Sequence, residues 1–146
     1  MRDPLEGLSE SGTIRTGADI TNVAAAFRPV HRAATANALE SAPSASVYAY
    51  GSVVTGQARV GVSDVDLLTI GLPTSEANVI GTHLSKRFAN VCRGVEIATA
   101  QAGDFAGDSD ESYGNRVFLR HYCVLLEGPD VHRPEHDFAG DRRAAR

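Results

Sequence analysis

Three acidic residues stand where strands should be apolar. Asp64 and Asp66 open the run Val65-Asp66-Leu67-Leu68-Thr69-Ile70, the strongest strand pattern in the chain, and Glu96 lies one residue into a second strand pattern, Val95 to Ala100. Strand side chains alternate between faces, so Asp64 and Asp66 point the same way, with Cα atoms about 6.5 Å apart at roughly 3.3 Å per residue. Val65 and Leu67 go to the opposite face, and Glu96 likewise opposes Val95 and Ile97. If the two strands are neighbours in register, the three carboxylates converge. Such a cluster repels itself unless a cation neutralises it. An oxygen-rich site with few protein ligands suits Mg²⁺, which keeps waters and takes further ligands from substrate phosphates. Two carboxylates two residues apart can bridge two ions about 3.5–4 Å apart, the spacing of two-metal phosphoryl-transfer sites.

A second feature lies upstream. Gly51-Ser52 directly follows the short strand pattern Val47 to Tyr50. Glycine lets backbone approach a ligand closely, and a backbone amide with a hydroxyl at the start of a turn or helix makes an anion site. A phosphate cradle on one strand and cation ligands on the next together describe a nucleoside-triphosphate site. Taken singly, each signal is weak. Asp-x-Asp at a strand start is more often a solvated end, Gly-Ser is common, and Arg59 reads first as a solvated loop cation.

The elements that must position these residues follow from periodicity. Ile20, Val23, Ala24 and Phe27 share a helical face, with Asp19 or Thr21 as a cap. Pro29 opens a second, Ala-rich helix over 29–41. After the strand at 47–50, residues 53–63 read as turn and loop with room for a short helix. The strand at 65–70 ends at Gly71 and Pro73. Ser75 is placed as the cap of a helix over 75–92, whose apolar stripe is Val79, Ile80, His83, Leu84, Phe88 and Val91. Gly94 then opens the strand at 95–100. An acidic loop over 101–112, a helix near 113–120 and a strand near 122–127 complete the pattern. This order predicts an α/β (α+β) domain, a small mixed β-sheet with helices packed against it, over 18–130. Residues 1–17 read as a mobile leader and 131–146 as a charged tail.

Composition narrows the class. The chain has 146 residues, 42% of them hydrophobic and 22% charged, which fits one globular domain with its own core. No apolar run approaches the roughly 20 residues needed to span a bilayer, so no membrane partner is expected. The formal net charge of −4 argues against a general nucleic-acid binder. Met1 to Ser11 lacks the apolar core of a secretory signal, so the expected compartment is cytoplasmic, with Cys92 and Cys123 as reduced, buried small hydrophobes. His121-Tyr122-Cys123 does not make a zinc site, and Pro134 breaks the helix that would align His132 with His136.

In combination, Tyr50-Gly51-Ser52, then Ser63-Asp64-Val65-Asp66-Leu67-Leu68, then Val95-Glu96-Ile97 resemble the nucleotidyltransferase superfamily that includes DNA polymerase beta. The flavour is that of aminoglycoside adenylyltransferases and small stand-alone bacterial nucleotidyltransferase domains. The closing run Cys123 to Asp130 fits as well. The resemblance implies transfer of a nucleoside monophosphate, AMP by analogy, from an NTP, ATP by the same analogy, to a hydroxyl on a small-molecule or protein acceptor, with release of pyrophosphate. It implies that Asp64 and Asp66 hold two Mg²⁺ ions, that Glu96 binds the ion nearest the acceptor, and that Gly51 and Ser52 hold the β- and γ-phosphates. It also leaves a different class open: a non-catalytic or partner-dependent regulatory module, antitoxin-like, completed by a homodimer or a helical partner protein.

Overall fold

The structure is a computed structural model that describes residues 7–8, 14–15 and 17–131. Most of the leader 1–17, and the tail from His132 onward with His136, lie outside the described residues. Within the leader, β1 (Gly7–Leu8) and β2 (Ile14–Arg15) form a two-residue antiparallel ladder.

The main sheet has four strands: β3 (Ser46–Tyr50), β4 (Val65–Ile70), β5 (Val95–Ala100) and β6 (Val124–Glu127), in the order β5-β4-β3-β6. β3 is antiparallel to both β4 and β6, while β4 and β5 are parallel. A parallel pair needs a crossover, and α3 (Thr74–Arg87) supplies it. The fold is α+β with a mixed sheet, as the element order predicts.

Strand alternation sorts the core into two layers. Val47, Ala49, Val65 and Leu67 point to the face covered by α1 (Arg28–Ser41) and α3. Tyr48, Leu68 and Ile70 point to the other face, where Phe105, from the 3-10 turn Ala102–Phe105, and Leu119, from α4 (Asp110–His121), cover them. Asp66 has the parity of Leu68 and Ile70. That second face is covered over Leu68 and Ile70, and only partly at Asp66.

Three local expectations are corrected. The span 19–27 is not one helix but two 3-10 turns, Ile20–Asn22 and Ala25–Phe27, separated by Val23 and Ala24 in extended conformation. Asp19 does cap the first, accepting from the Thr21 N–H. Docking onto α2 (Ser52–Thr55) overrides the helical pattern: the Asp19 N–H and Asn22 Nδ2 both donate to the Val54 carbonyl, at 3.0 and 3.3 Å. Next, α3 starts at Thr74 after Pro73, without a side-chain cap, so Ser75 lies inside the first turn. Finally, α3 buries Ala77, Ile80, Gly81 and Leu84, and leaves Val79 70% exposed and His83 exposed. Small residues set that face. An added Cβ at Gly81 would meet the Val95 carbonyl at 3.1 Å, so the helix leans on β5 there.

Cys92 is buried and Cys123 half-buried, and both are free. The closing segment is anchored through Tyr48, whose buried hydroxyl donates to Asp130 at 2.8 Å and accepts the Val131 N–H at 3.0 Å. The Ser46 hydroxyl also donates to the Pro129 carbonyl.

His31, on α1, is buried, and its Nε2 has no partner among the described residues. Burial pushes its pKa from 6.5 down to about 4. The unfolded chain therefore takes up a proton near pH 6.5 that the folded chain refuses until about 4. Stability from this residue is present above pH 6.5 and falls as pH drops towards 4, by about 3 kcal/mol in all. His31→Leu should flatten that part of the pH dependence. Urea denaturation of both proteins between pH 4 and 7 reads the difference, and parallel curves would refute it.

Candidate active site

β4 and β5 run parallel and in register, which makes Asp66 and Glu96 direct partners across the pair. In-register partners share a sheet face, so their carboxylates stand on the same side. Tyr50, at the end of β3, is the partner of Asp66 on the opposite flank. Asp66, Glu96 and Tyr50 thus form one row across three strands, at the end of the sheet face that α4 does not cover. Phe118 of α4 bounds that row, its ring edge-on to Tyr50 with centroids 5.3 Å apart.

The electrostatics of the row are unfavourable as it stands. Asp66 is half-buried, and its carboxyl pKa is pushed up from 3.8 to about 6. Burial is the largest cause, followed by the negative charges of Glu96 and Asp64 and a hydrogen-bond interaction with Glu96, with Arg93 opposing them. Tyr50 is shifted upward too, by burial and then by Asp66.

Just before β4, and near enough to Asp66 for its charge to raise that residue's pKa, lies Asp64. Arg93 grips it with two hydrogen bonds, Nε to Oδ1 at 3.1 Å and Nη2 to Oδ2 at 2.6 Å. The Arg93 N–H also donates to the Ser63 carbonyl at 2.9 Å, which fixes the backbone beside this pair. Ser63 in turn accepts the Arg59 N–H through its hydroxyl, so it closes the loop that delivers Asp64. Arg59 itself is exposed, and its backbone belongs to that turn. The structure therefore brings together Asp66, Glu96 and Gly51, and it pairs Asp64 with a cation. Among the described residues, no group of three or more His, Cys, Asp or Glu side chains is gathered to hold a metal ion.

Gly51 sits at the rim as the sequence implies, for a sharper reason than general flexibility. Its φ of 80° and ψ of −158° suit glycine alone, and a Cβ there would lie 2.7 Å from Asp66 Oδ2. The Asp66 carboxylate rests against the bare Gly51 backbone. Ser52 begins α2, half-buried, and its hydroxyl has no partner among the described residues.

With this geometry in view, comparison with known protein families is decisive. A sequence model of the nucleotidyltransferase domain matches residues 34–119, more than half of the chain. The chain belongs to the nucleotidyltransferase domain family. The matched span contains Gly51, Ser52, Asp64, Asp66 and Glu96 together with β3, β4, α3 and β5. Comparisons with curated proteins and with solved structures give no match. Nucleotidyltransferases move a nucleotidyl group from a nucleoside triphosphate, and the family typically works with divalent metal ions. Among the described residues of this nucleotidyltransferase domain, no helix is long and apolar enough to cross a membrane.

The Arg93 partner of Asp64 is not revealed by the motifs, because Arg93 belongs to none of them. The register of β4 with β5 would have found it. Val65 faces Val95, so residues 63 and 64 must run beside 93 and 94.

The close approach at Gly51 carries a prediction. Gly51→Ala places a methyl group on Asp66 and forces a left-sided backbone conformation on alanine, so it should destabilise the fold by about 2 kcal/mol. Chemical denaturation of the variant against the wild type measures this, and an unchanged midpoint would show that Asp66 does not rest on Gly51.

Proposed function

We propose that this domain transfers a nucleoside monophosphate, AMP in the reading we favour, from an NTP to a hydroxyl acceptor, and releases pyrophosphate. The observation that carries the proposal is the row of Asp66 and Glu96, in register and on one face, with the Gly51 backbone against it. Asp64, Asp66 and Glu96 are the proposed cation ligands, Gly51 and Ser52 the proposed phosphate contacts. The donor set suits a hard divalent ion such as Mg²⁺: all three groups are carboxylates, and the charges of Glu96 and Asp64, which add to burial in raising the Asp66 pKa, are what a cation would offset. When bound, such ions would lower the acceptor hydroxyl pKa and neutralise charge on the transferring phosphoryl group.

The chain's own residues have separable tasks in this scheme. Asp66 and Glu96, fixed by sheet pairing, supply a rigid negative edge. Gly51 leaves room for phosphate oxygens beside it. Asp64 contributes once it leaves Arg93, which makes the Arg93–Asp64 pair a resting arrangement. That same pair supports a second reading, a partner-dependent module of the family, antitoxin-like, in which a homodimer or helical partner completes the site. The acceptor, small molecule or protein, is common to both readings. Two free thiols, one of them buried, support a reducing, cytoplasmic setting.

Calorimetry with ATP tests the proposal. Binding with Mg²⁺ present should weaken at least ten-fold on adding EDTA, and Asp64→Asn with Asp66→Asn should remove the metal-dependent part. Binding of equal strength with and without Mg²⁺ would contradict the catalytic reading.

A further inference from the structure

A cavity of about 560 Å³ lies between α1, β6 and the first 3-10 turn. It sits on the α1/α3 side of the sheet, since Leu126 packs with that core layer, and so faces away from Asp66. α1 shows two faces. Val30, Ala34 and Ala38 enter the core, while Arg28, Arg32, Thr35, Ala36 and Leu39, spaced at helical intervals, border the cavity. Ile20, Val23 and Leu126 complete an apolar floor and mouth, with Ile20 51% exposed. Small-molecule sites fall in the range of roughly 300–1,000 Å³ and combine an apolar lining with a few placed polar groups.

The polar groups define the ligand's charge. Arg28 and Arg32 lie one turn apart, both exposed, and neither has a carboxylate partner among the described residues. Among the described residues, Glu127 on the β6 wall is the single carboxylate of the lining, so an anion is drawn to the α1 wall and repelled from β6. A carboxylate matches the planar guanidinium fork. His31 also lines the cavity, and burial keeps its ring uncharged at neutral pH, so it adds no third cation. Its unpartnered Nε2 is a polar atom left unsatisfied in the protein alone.

We propose that this cavity binds a small amphipathic carboxylate, its acid group on Arg28 and Arg32 and its apolar body against Ile20, Val23, Leu39 and Leu126. The site is separate from the carboxylate row and does not depend on the transferase reading.

The probes are 8-anilinonaphthalene-1-sulfonate, followed by fluorescence, and three competitors of equal chain length: octanoate, octanol and octylammonium. Octanoate should displace the dye at a concentration at least ten-fold lower than octylammonium, and should shift the His31 imidazole resonances. Arg28→Ala with Arg32→Ala, both on exposed positions, should remove the preference for octanoate and leave octanol binding unchanged. Equal displacement by acid and amine overturns the proposal, as does absence of saturable binding or binding that leaves the His31 resonances unmoved. A doubled mass in solution, with the dye excluded, would also overturn it and would make this face an interface between two copies of the chain.

Discussion

The pairing of β4 with β5 forces two carboxylates together. Parallel, in-register strands place Asp66 beside Glu96 whatever the side chains prefer, and backbone hydrogen bonds along six paired positions hold them there. The strain is visible in Asp66, whose pKa rises to about 6 because it is half-buried and faces two like charges. A fold optimised only for stability would place apolar or oppositely charged residues in that row. A cation at the open end of the sheet, as proposed above, would offset the charge repulsion in that row.

Much of the remaining structure maintains that pairing. The parallel connection needs α3 close against the sheet, and Gly81 and Ala77 permit the approach. Ser85 then ties the helix to the strand: its hydroxyl donates to the Gly81 carbonyl at 2.7 Å and accepts the Val95 N–H at 2.9 Å, one residue before Glu96. On the other flank, β3 ends at Tyr50, and the chain turns through Gly51 in a conformation that leaves the Asp66 carboxylate its space. The first 3-10 turn, with its cap Asp19, braces α2 through the Val54 carbonyl. Arg93 balances Asp64, so that one of the three acids carries a counter-charge in the protein alone.

The sequence showed the strands more clearly than their surroundings. β4 is legible to the residue because its apolar run is bounded by Asp64 and by Gly71, and β5 because Gly94 precedes it. The same-face geometry of Asp66 and Glu96 needed one assumption, that the two strands are neighbours, and the crossover helix between them made it reasonable. What escaped were features decided by distant contacts. The span 19–27 has a helical pattern, yet Asn22 is claimed by Gly17 and Val54, and the helix breaks. Val79 and His83 fit an apolar stripe, but the buried face of α3 is centred on small residues that carry no strong hydrophobic signal. Arg93 acts on Asp64 across 29 residues, and nothing local marks it.

The central claim is that Asp64, Asp66 and Glu96 jointly hold a divalent cation beside a nucleotide. A crystal structure of the protein with Mn²⁺ and a non-hydrolysable ATP analogue tests it most directly, because Mn²⁺ is located by its anomalous scattering. The account predicts an anomalous peak within roughly 2.2 Å of oxygens from these carboxylates, phosphate oxygens near Gly51 and Ser52, and Asp64 released from Arg93. A bound nucleotide with no anomalous peak at the row, and Asp64 still held by Arg93, would contradict it.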